Sequence, residues 1–165
     1  MITYQQILNN KILSKEAVIK RINIWRMFNK KIVFTNGCFD VLHQGHVDYL
    51  CQAKDLGNVL IVGLNTDNSV KRLNKSPERP INKEQSRALV LASLVLVDAV
   101  VLFDEDNPYE LIKAIQPDVL VKGADYKAED IVGYDIVKAR GGEVATIKLT
   151  EGFSTTELIK KIKTS

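Results

Sequence analysis

Thr35-Asn36-Gly37-Cys38-Phe39-Asp40-Val41-Leu42-His43-Gln44-Gly45-His46 is the stretch whose reading decides the fold. Before it, Ile32-Val33-Phe34 is an apolar run that reads as a buried strand. After it, Val47 to Leu56 carries apolar residues at helical spacing. A strand therefore ends, a glycine-bearing turn follows, and a helix opens with histidines around its first turn. His43 and His46 are three apart, so in a helical turn both imidazoles lean to one side. The N-terminus of that helix offers unpaired backbone N–H groups and the positive end of a dipole, which suits phosphate. Two histidines aimed at such a place point to stabilisation of charge on a phosphate in transit.

Outward from this stretch, apolar runs alternate with helical ones. The strands expected are Ile32–Thr35, Val59–Leu64, Ala99–Phe103, Val119–Val121 and Val144–Leu149. Helices are expected near 44–56, 83–96, 108–116 and 129–139, with a short one near 68–74. The punctuation agrees with this alternation. Gly57 reads as a helix stop, Asn82 with Gln85 as a capping box, and Asn107-Pro108 as a cap followed by a first-turn proline. Pro117 closes that helix, and Ser154-Thr155-Thr156-Glu157 is a second capping box that opens a terminal helix. Apolar strands separated by helices predict an α/β fold, a single doubly wound parallel-sheet Rossmann-like domain with its ligand at the carboxyl ends of the strands. No G-x-G-x-x-G and no Walker A sequence is present. Residues 1–30 are expected to form an N-terminal accessory helical segment, with Ser14 to Phe28 amphipathic, and residues 31–165 the main domain.

The composition fits a soluble globular chain. Its 165 residues suffice for one domain with a sizeable core, and 45% hydrophobic with 26% charged residues is ordinary. A net charge of +3 with scattered lysines argues against a nucleic-acid partner. No apolar run reaches the roughly 20 residues of a membrane span, and the first residues lack the form of a signal peptide, so no membrane and a cytoplasmic location are expected. Cys38 and Cys51 lack metal-ligand spacing and read as free thiols. Cys38 lies in the phosphate loop, but with no base and orienting group in view it reads as small filler in a tight turn.

If strand ends make the site, the residues just after strands carry its chemistry. After the second predicted strand come Asn65-Thr66-Asp67 and then Lys71-Arg72 and Lys75, a basic short helix suited to a leaving pyrophosphate. Arg79 is stiffened between Pro77 and Pro80. After the fourth comes Lys122-Gly123-Ala124-Asp125-Tyr126, where the glycine permits close backbone approach. After the fifth come Ser154, Thr155 and Thr156, whose hydroxyls stand at another helix start.

Taken together, these strings resemble the H-x-G-H nucleotidyltransferase (cytidylyltransferase-like) superfamily, over roughly residues 30–163. Within it they look most like the D-glycero-D-manno-heptose 1-phosphate adenylyltransferase domain of ADP-heptose synthesis. Its marks are Thr-Asn-Gly-Cys-Phe-Asp-x-Leu-His-x-Gly-His, Lys-Gly-x-Asp-Tyr and Glu-Gly-x-Ser-Thr-Thr. Leu149-Thr150 stands where the glycerol-phosphate cytidylyltransferases carry Arg-Thr, which favours the heptose reading. Ala124 replaces a common second glycine. The resemblance implies an enzyme that transfers an adenylyl group from ATP to a sugar 1-phosphate for lipopolysaccharide core or a related glycan, releasing pyrophosphate. Catalytic roles then fall to His43, His46 and Lys71. Nucleotide and phosphate contacts fall to Thr35, Asn36, Gly37, Cys38, Phe39, Asp40, Gly45, Asp67, Arg79, Arg87, Lys122, Gly123, Asp125, Tyr126, Ser154, Thr155 and Thr156. Mg²⁺ is expected on the triphosphate, with no protein metal ligands. A homodimer and a separate upstream sugar kinase are implied. The alternatives are a cytidylyltransferase acting on glycerol 3-phosphate or a similar small phosphate, and a catalytically inactive nucleotide-binding regulatory domain.

Overall fold

A computed structural model describes residues 1–73, 78–124, 127–148, 150 and 152–164 of the chain. Its elements in order are α1 (Tyr4–Asn9), β1 (Ile12–Leu13), α2 (Lys15–Met27), β2 (Ile32–Gly37), α3 (Gln44–Asp55), β3 (Val59–Asn65), α4 (Asp67–Arg72) and α5 (Glu84–Ser93). They continue with β4 (Ala99–Phe103), α6 (Tyr109–Ile115), β5 (Val119–Gly123), a 3-10 turn (Ala128–Asp130), α7 (Tyr134–Ala139), β6 (Glu143–Ile147) and α8 (Thr155–Thr164). The strands form one six-stranded sheet in the order β1-β4-β3-β2-β5-β6, every pairing parallel. This is the doubly wound α/β architecture that the alternation predicts.

Both faces of the sheet are dry along its interior strands, β2 to β5, because these are apolar on both sides. Val33, Leu60, Val62, Val100 and Val119 pack against Tyr49, Leu50 and Ala53 of α3 and Ala88, Leu91 and Ala92 of α5. Residues one step along, Ile32, Phe34, Ile61, Val101 and Leu120, meet Val18 and Ile22 of α2, Ile112 and Ile115 of α6 and Val137 of α7. The chain runs from β2 out to β3 and β4, then returns to place β5 on the other side of β2. Strand order therefore reverses beside β2, and the crevice of such a sheet lies above its strand ends there.

Several boundaries differ from the sequence expectation for local reasons. Residues 1–30 contain more than the amphipathic helix: α1 is closed by a Thr3–Gln6 capping box, and β1 pairs with β4 at the sheet edge. Lys83 takes the N-cap of α5 without a side-chain bond, because Asn82 is engaged by Asp40 instead, so the Asn82–Gln85 box does not form. The helix ends at Ser93, which lets Val97 turn into the core. The helix expected over 129–139 is broken at Gly133, whose φ of +89° is a left-handed conformation few side chains adopt. Pro108, expected at the first helical position, takes the N-cap of α6 instead, and Asn107 Oδ1 just ahead of it accepts the Tyr109 N–H at 3.0 Å. Leu149, the predicted end of the last strand, and Lys75 lie outside the described residues. Among the described residues no helix is long and apolar enough to cross a membrane.

Gly57 is present for space rather than for a left-handed stop. It lies where the α3–β3 turn presses on the start of β2, and a Cβ there would sit 2.6 Å from Val33 Cγ2 and 2.8 Å from the Lys31 carbonyl. Gly57→Ala is expected to destabilise the fold by about 1–3 kcal/mol, the usual scale of overpacking a tight contact. Urea unfolding checks this; stability equal to the parent's would mean that the turn has slack.

Candidate active site

The loop leaving β2 is pinned before any ligand arrives. Phe39 has a φ of +42°, which is uncommon for a bulky non-glycine residue. Its neighbours hold it there. The Cys38 carbonyl accepts from Arg87 Nη1 at 2.7 Å. Asp40, almost wholly buried, accepts the Ile81 and Asn82 backbone N–H groups at 3.0 and 2.9 Å and Arg79 Nε at 3.1 Å. Burial alone would raise the Asp40 pKa, but these donors outweigh it and hold the carboxyl below its ordinary value.

The two histidines then meet face to face. Their ring centroids are 3.9 Å apart and their planes 24° apart. His46 Nδ1 accepts the His43 backbone N–H at 3.4 Å, which leaves Nε2 to carry the proton of the neutral ring. His43 Nδ1 is buried with no partner among the described residues. Burial, the His43 ring and Arg79 push the His46 pKa down to about 4, and burial lowers that of His43. Beneath them Tyr49 and Thr35 share a buried hydrogen bond of 2.7 Å, and burial pushes the Tyr49 phenol up to about 12.

A cavity of about 440 Å³ opens above these groups, at the crevice beside β2. Asn36, Gly37, Cys38, Phe39, His43, Gly45 and His46 line one wall, with Arg79 at the side. Lys122 and Gly123 come from the end of β5, and Ser154, Thr155 and Thr156 from the start of α8. Thr150 Oγ1 donates to Asp48 Oδ2 at 3.1 Å, tying the β6–α8 connection to α3. The expected phosphate-suited helix starts, of α3 and α8, therefore flank one space.

Five residues read from the sequence as contacts or catalysts do not line the cavity. Thr35 is fully buried against Tyr49. Asp40 spends its lone pairs on the loop preceding α5. Asp67 pairs with Arg87 Nη2 at 2.8 Å, and the enclosed Arg87 also donates to the Asn82 carbonyl at 3.0 Å. Lys71 is exposed on α4, whose helical phase turns Ser69 and Val70 inward instead. Asp125 and Tyr126 lie outside the described residues. Conversely, Tyr49, Thr150 and Phe153 line the cavity although the sequence reading did not single them out. Tyr49 follows His46 at helical spacing and was legible in principle; Phe153 occupies the unspecified position of Glu-Gly-x-Ser-Thr-Thr.

The donor set bears on how a divalent ion would be held. Among the described residues no three His, Cys, Asp or Glu side chains converge, and the carboxylates nearest the loop, Asp40 and Asp67, are taken by arginines. Such a set fits an ion that arrives on phosphate oxygens better than one caged by protein.

Residues 34–161 match the family described as cytidylyltransferase-like. The bifunctional protein HldE of Wolinella succinogenes is 56% identical over 155 residues, which is 94% of this chain and 32% of that protein. The HldE of Campylobacter concisus is 61% identical over 134 residues, 81% of this chain and 27% of that one. The chain thus spans about a third of the length of these curated relatives. The crystal structure of the lipopolysaccharide core biosynthesis protein from Thermoplasma volcanium superposes with a TM-score of 0.60 at 30% identity, covering 73% of this chain and 97% of that one. With its stacked histidines at the switch point of the same fold, the chain belongs to the cytidylyltransferase-like family of nucleotidyltransferases.

Proposed function

We propose that the domain transfers an adenylyl group from ATP to a heptose 1-phosphate, giving ADP-heptose and pyrophosphate. The observation that carries this reading is the stacked His43–His46 pair between two helix N-termini, in a chain more than half identical to HldE proteins. An oxygen of the sugar phosphate attacks the α-phosphorus of ATP in line. The bond from that phosphorus to the bridging oxygen breaks, and pyrophosphate leaves with the electron pair. Little covalent work is asked of the protein, so rate comes from alignment and from charge stabilisation.

In this scheme the neutral His46 donates from Nε2 to a phosphate oxygen, and His43 works from its own Nε2 beside it. Backbone N–H groups from Asn36 to Phe39 and at the start of α8 hold the triphosphate, with Ser154, Thr155 and Thr156 adding hydroxyls. Arg79, aimed by Asp40, and Lys122 supply positive charge within the wall. Lys71, outside that wall, is assigned to the acceptor phosphate or the pyrophosphate where these project beyond it. Asp125 and Tyr126 are assigned to the nucleotide side. Mg²⁺, held by the phosphates, would neutralise part of their charge. The reaction is assigned to the cytoplasm, to a homodimer, and to a pathway in which a sugar kinase activity makes the acceptor.

The deciding experiment follows pyrophosphate release with Mg²⁺, offering ATP or CTP with heptose 1-phosphate or glycerol 3-phosphate. Turnover with ATP and heptose 1-phosphate alone is expected; turnover only with CTP and glycerol 3-phosphate would overturn the reading. His46→Ala should lower turnover at least about a hundredfold, the scale of losing one charge-stabilising donor. Near-parental turnover in a folded variant would remove His46 from the mechanism.

The same histidine sets a stability slope. Its folded pKa of about 4 lies below the ordinary 6.5, so between those values the unfolded chain binds a proton that the folded one refuses. Stability should therefore be fully present above pH 6.5 and fall as the pH drops toward 4, with a shallower slope in His46→Gln. Thermal melts across that range measure it, and equal slopes in the two proteins would contradict a buried neutral His46.

A further inference from the structure

The histidine pair does not stand alone: it is the middle of a column of four rings. The Phe39 ring lies against His46, with centroids 5.4 Å apart and planes tilted 55°. His46 stacks on His43, and His43 faces Phe153 at 6.0 Å with the planes 23° apart. The two phenylalanines come from different parts of the chain. Phe39 is held in its left-handed conformation by the loop after β2, whereas Phe153 lies in the connection from β6 to α8, one residue past Gly152 at φ +83°.

We propose that Phe153 is a positioning residue: its ring closes the outer end of the column, fixing the His43 imidazole and joining its alignment to the placement of the α8 N-terminus. Three features beyond the stack support it. Gly45 leaves room for this contact, since a Cβ there would lie 2.9 Å from Phe153 Cβ and 3.2 Å from His43 Nδ1. That nitrogen is buried without a partner among the described residues, and within that set the His43 ring is held by its faces rather than by a hydrogen bond at Nδ1. The next residues after Phe153, Ser154 to Thr156, line the cavity, so a ligand seated on α8 presses on the segment that carries the ring. The burial that lowers the His43 pKa is consistent with this closure. Among the described residues, the other titratable or charged groups lining the cavity are His46 and Tyr49 on α3, Cys38, Arg79 and Lys122.

The catalytic part of this proposal rests on the nucleotidyl-transfer reading; the placement of the ring does not. The chain has only two histidines, so their NMR titrations can be followed in the free protein and assigned with His46→Gln. In Phe153→Ala the His43 midpoint should rise toward the ordinary 6.5, because its outer face is opened to water. In turnover with ATP and heptose 1-phosphate, kcat should fall at least about tenfold while KM for ATP stays within about threefold, as expected when alignment rather than binding is lost. Phe153→Tyr, which keeps the ring, should recover most of both effects. Gly45→Ala, which pushes on the same contact from the other side, should shift the His43 midpoint even if Phe153→Ala were to perturb the loop. An unchanged His43 midpoint in both Phe153→Ala and Gly45→Ala would overturn the proposal. So would a loss confined to KM for ATP, since the ring would then be a nucleotide contact. If the parent protein turns over neither substrate pair, the substrate reading fails while the titrations still decide the role of Phe153.

Discussion

A single enclosed guanidinium organises the approach to the cavity. Arg87 sits on α5 with its side chain wholly out of solvent, and its fork reaches three segments at once. It donates to the Cys38 carbonyl in the loop after β2, to the Asn82 carbonyl ahead of its own helix, and to the Asp67 carboxylate at the start of α4. Only a planar cation with donors in fixed, divergent directions can do this; a lysine would reach one of the three. Breaking a buried pair by removing one partner costs about 3–5 kcal/mol, and the partly exposed Asp67 places this pair toward the lower end. Arg87 and Asp40 together over-determine the loop in which Phe39 keeps a φ of +42°, a conformation costing about 1–3 kcal/mol. The strain is stored where the rings that orient His46 begin.

Asp40 completes this frame from the other side. Its carboxylate accepts from Ile81, Asn82 and Arg79, and its backbone carbonyl from the Asn82 amide. One carboxylate thus fixes the loop ahead of α5 and aims Arg79, which does line the cavity. The acidic and basic residues of the signature divide their labour: Asp40 and Arg87 fix backbone, Asp67 pairs with Arg87, and Arg79 and Lys122 line the cavity.

This division explains what was legible in the sequence. The four interior strands, β2 to β5, announced themselves because each is apolar on both faces, a pattern that survives without tertiary context. The edge strand β6, with Glu143 and Thr146 exposed, was legible through Val144, Ala145 and Ile147. The edge strand β1 was not, because Ile12 and Leu13 are too short a run to carry a period, although the Thr3–Gln6 box ahead of α1 was there to be read. At the site, residue types and positions pointed to loops that do line the cavity, to which the stretch Asn36 to His46 contributes Asn36 to Phe39, His43, Gly45 and His46. Individual roles were harder to read. A sequence shows that a carboxylate follows a strand; it does not show whether its lone pairs are spent on a ligand or on a neighbouring backbone. Asn82 was misread for the same reason, as a helix cap when Asp40 had claimed it. Phe153 was missed because a ring stack joins residues more than a hundred positions apart.

The electrostatics of the resting site follow from the same packing. Two imidazolium rings with centroids 3.9 Å apart, with Arg79 close by, would concentrate positive charge in a poorly hydrated place. Burial instead favours the neutral form of both rings, and His43 Nδ1 stays buried without a partner among the described residues. A polyphosphate changes the balance: its negative charge offsets Arg79 and favours the protonated form of either ring. On the proposed reading, a densely charged anion would therefore be favoured beside Arg79 and the two rings. In the proposed transfer, a neutral donor held in place before the anion arrives would need no reorganisation as charge shifts toward the departing phosphates, which is the condition under which such groups lower a barrier most.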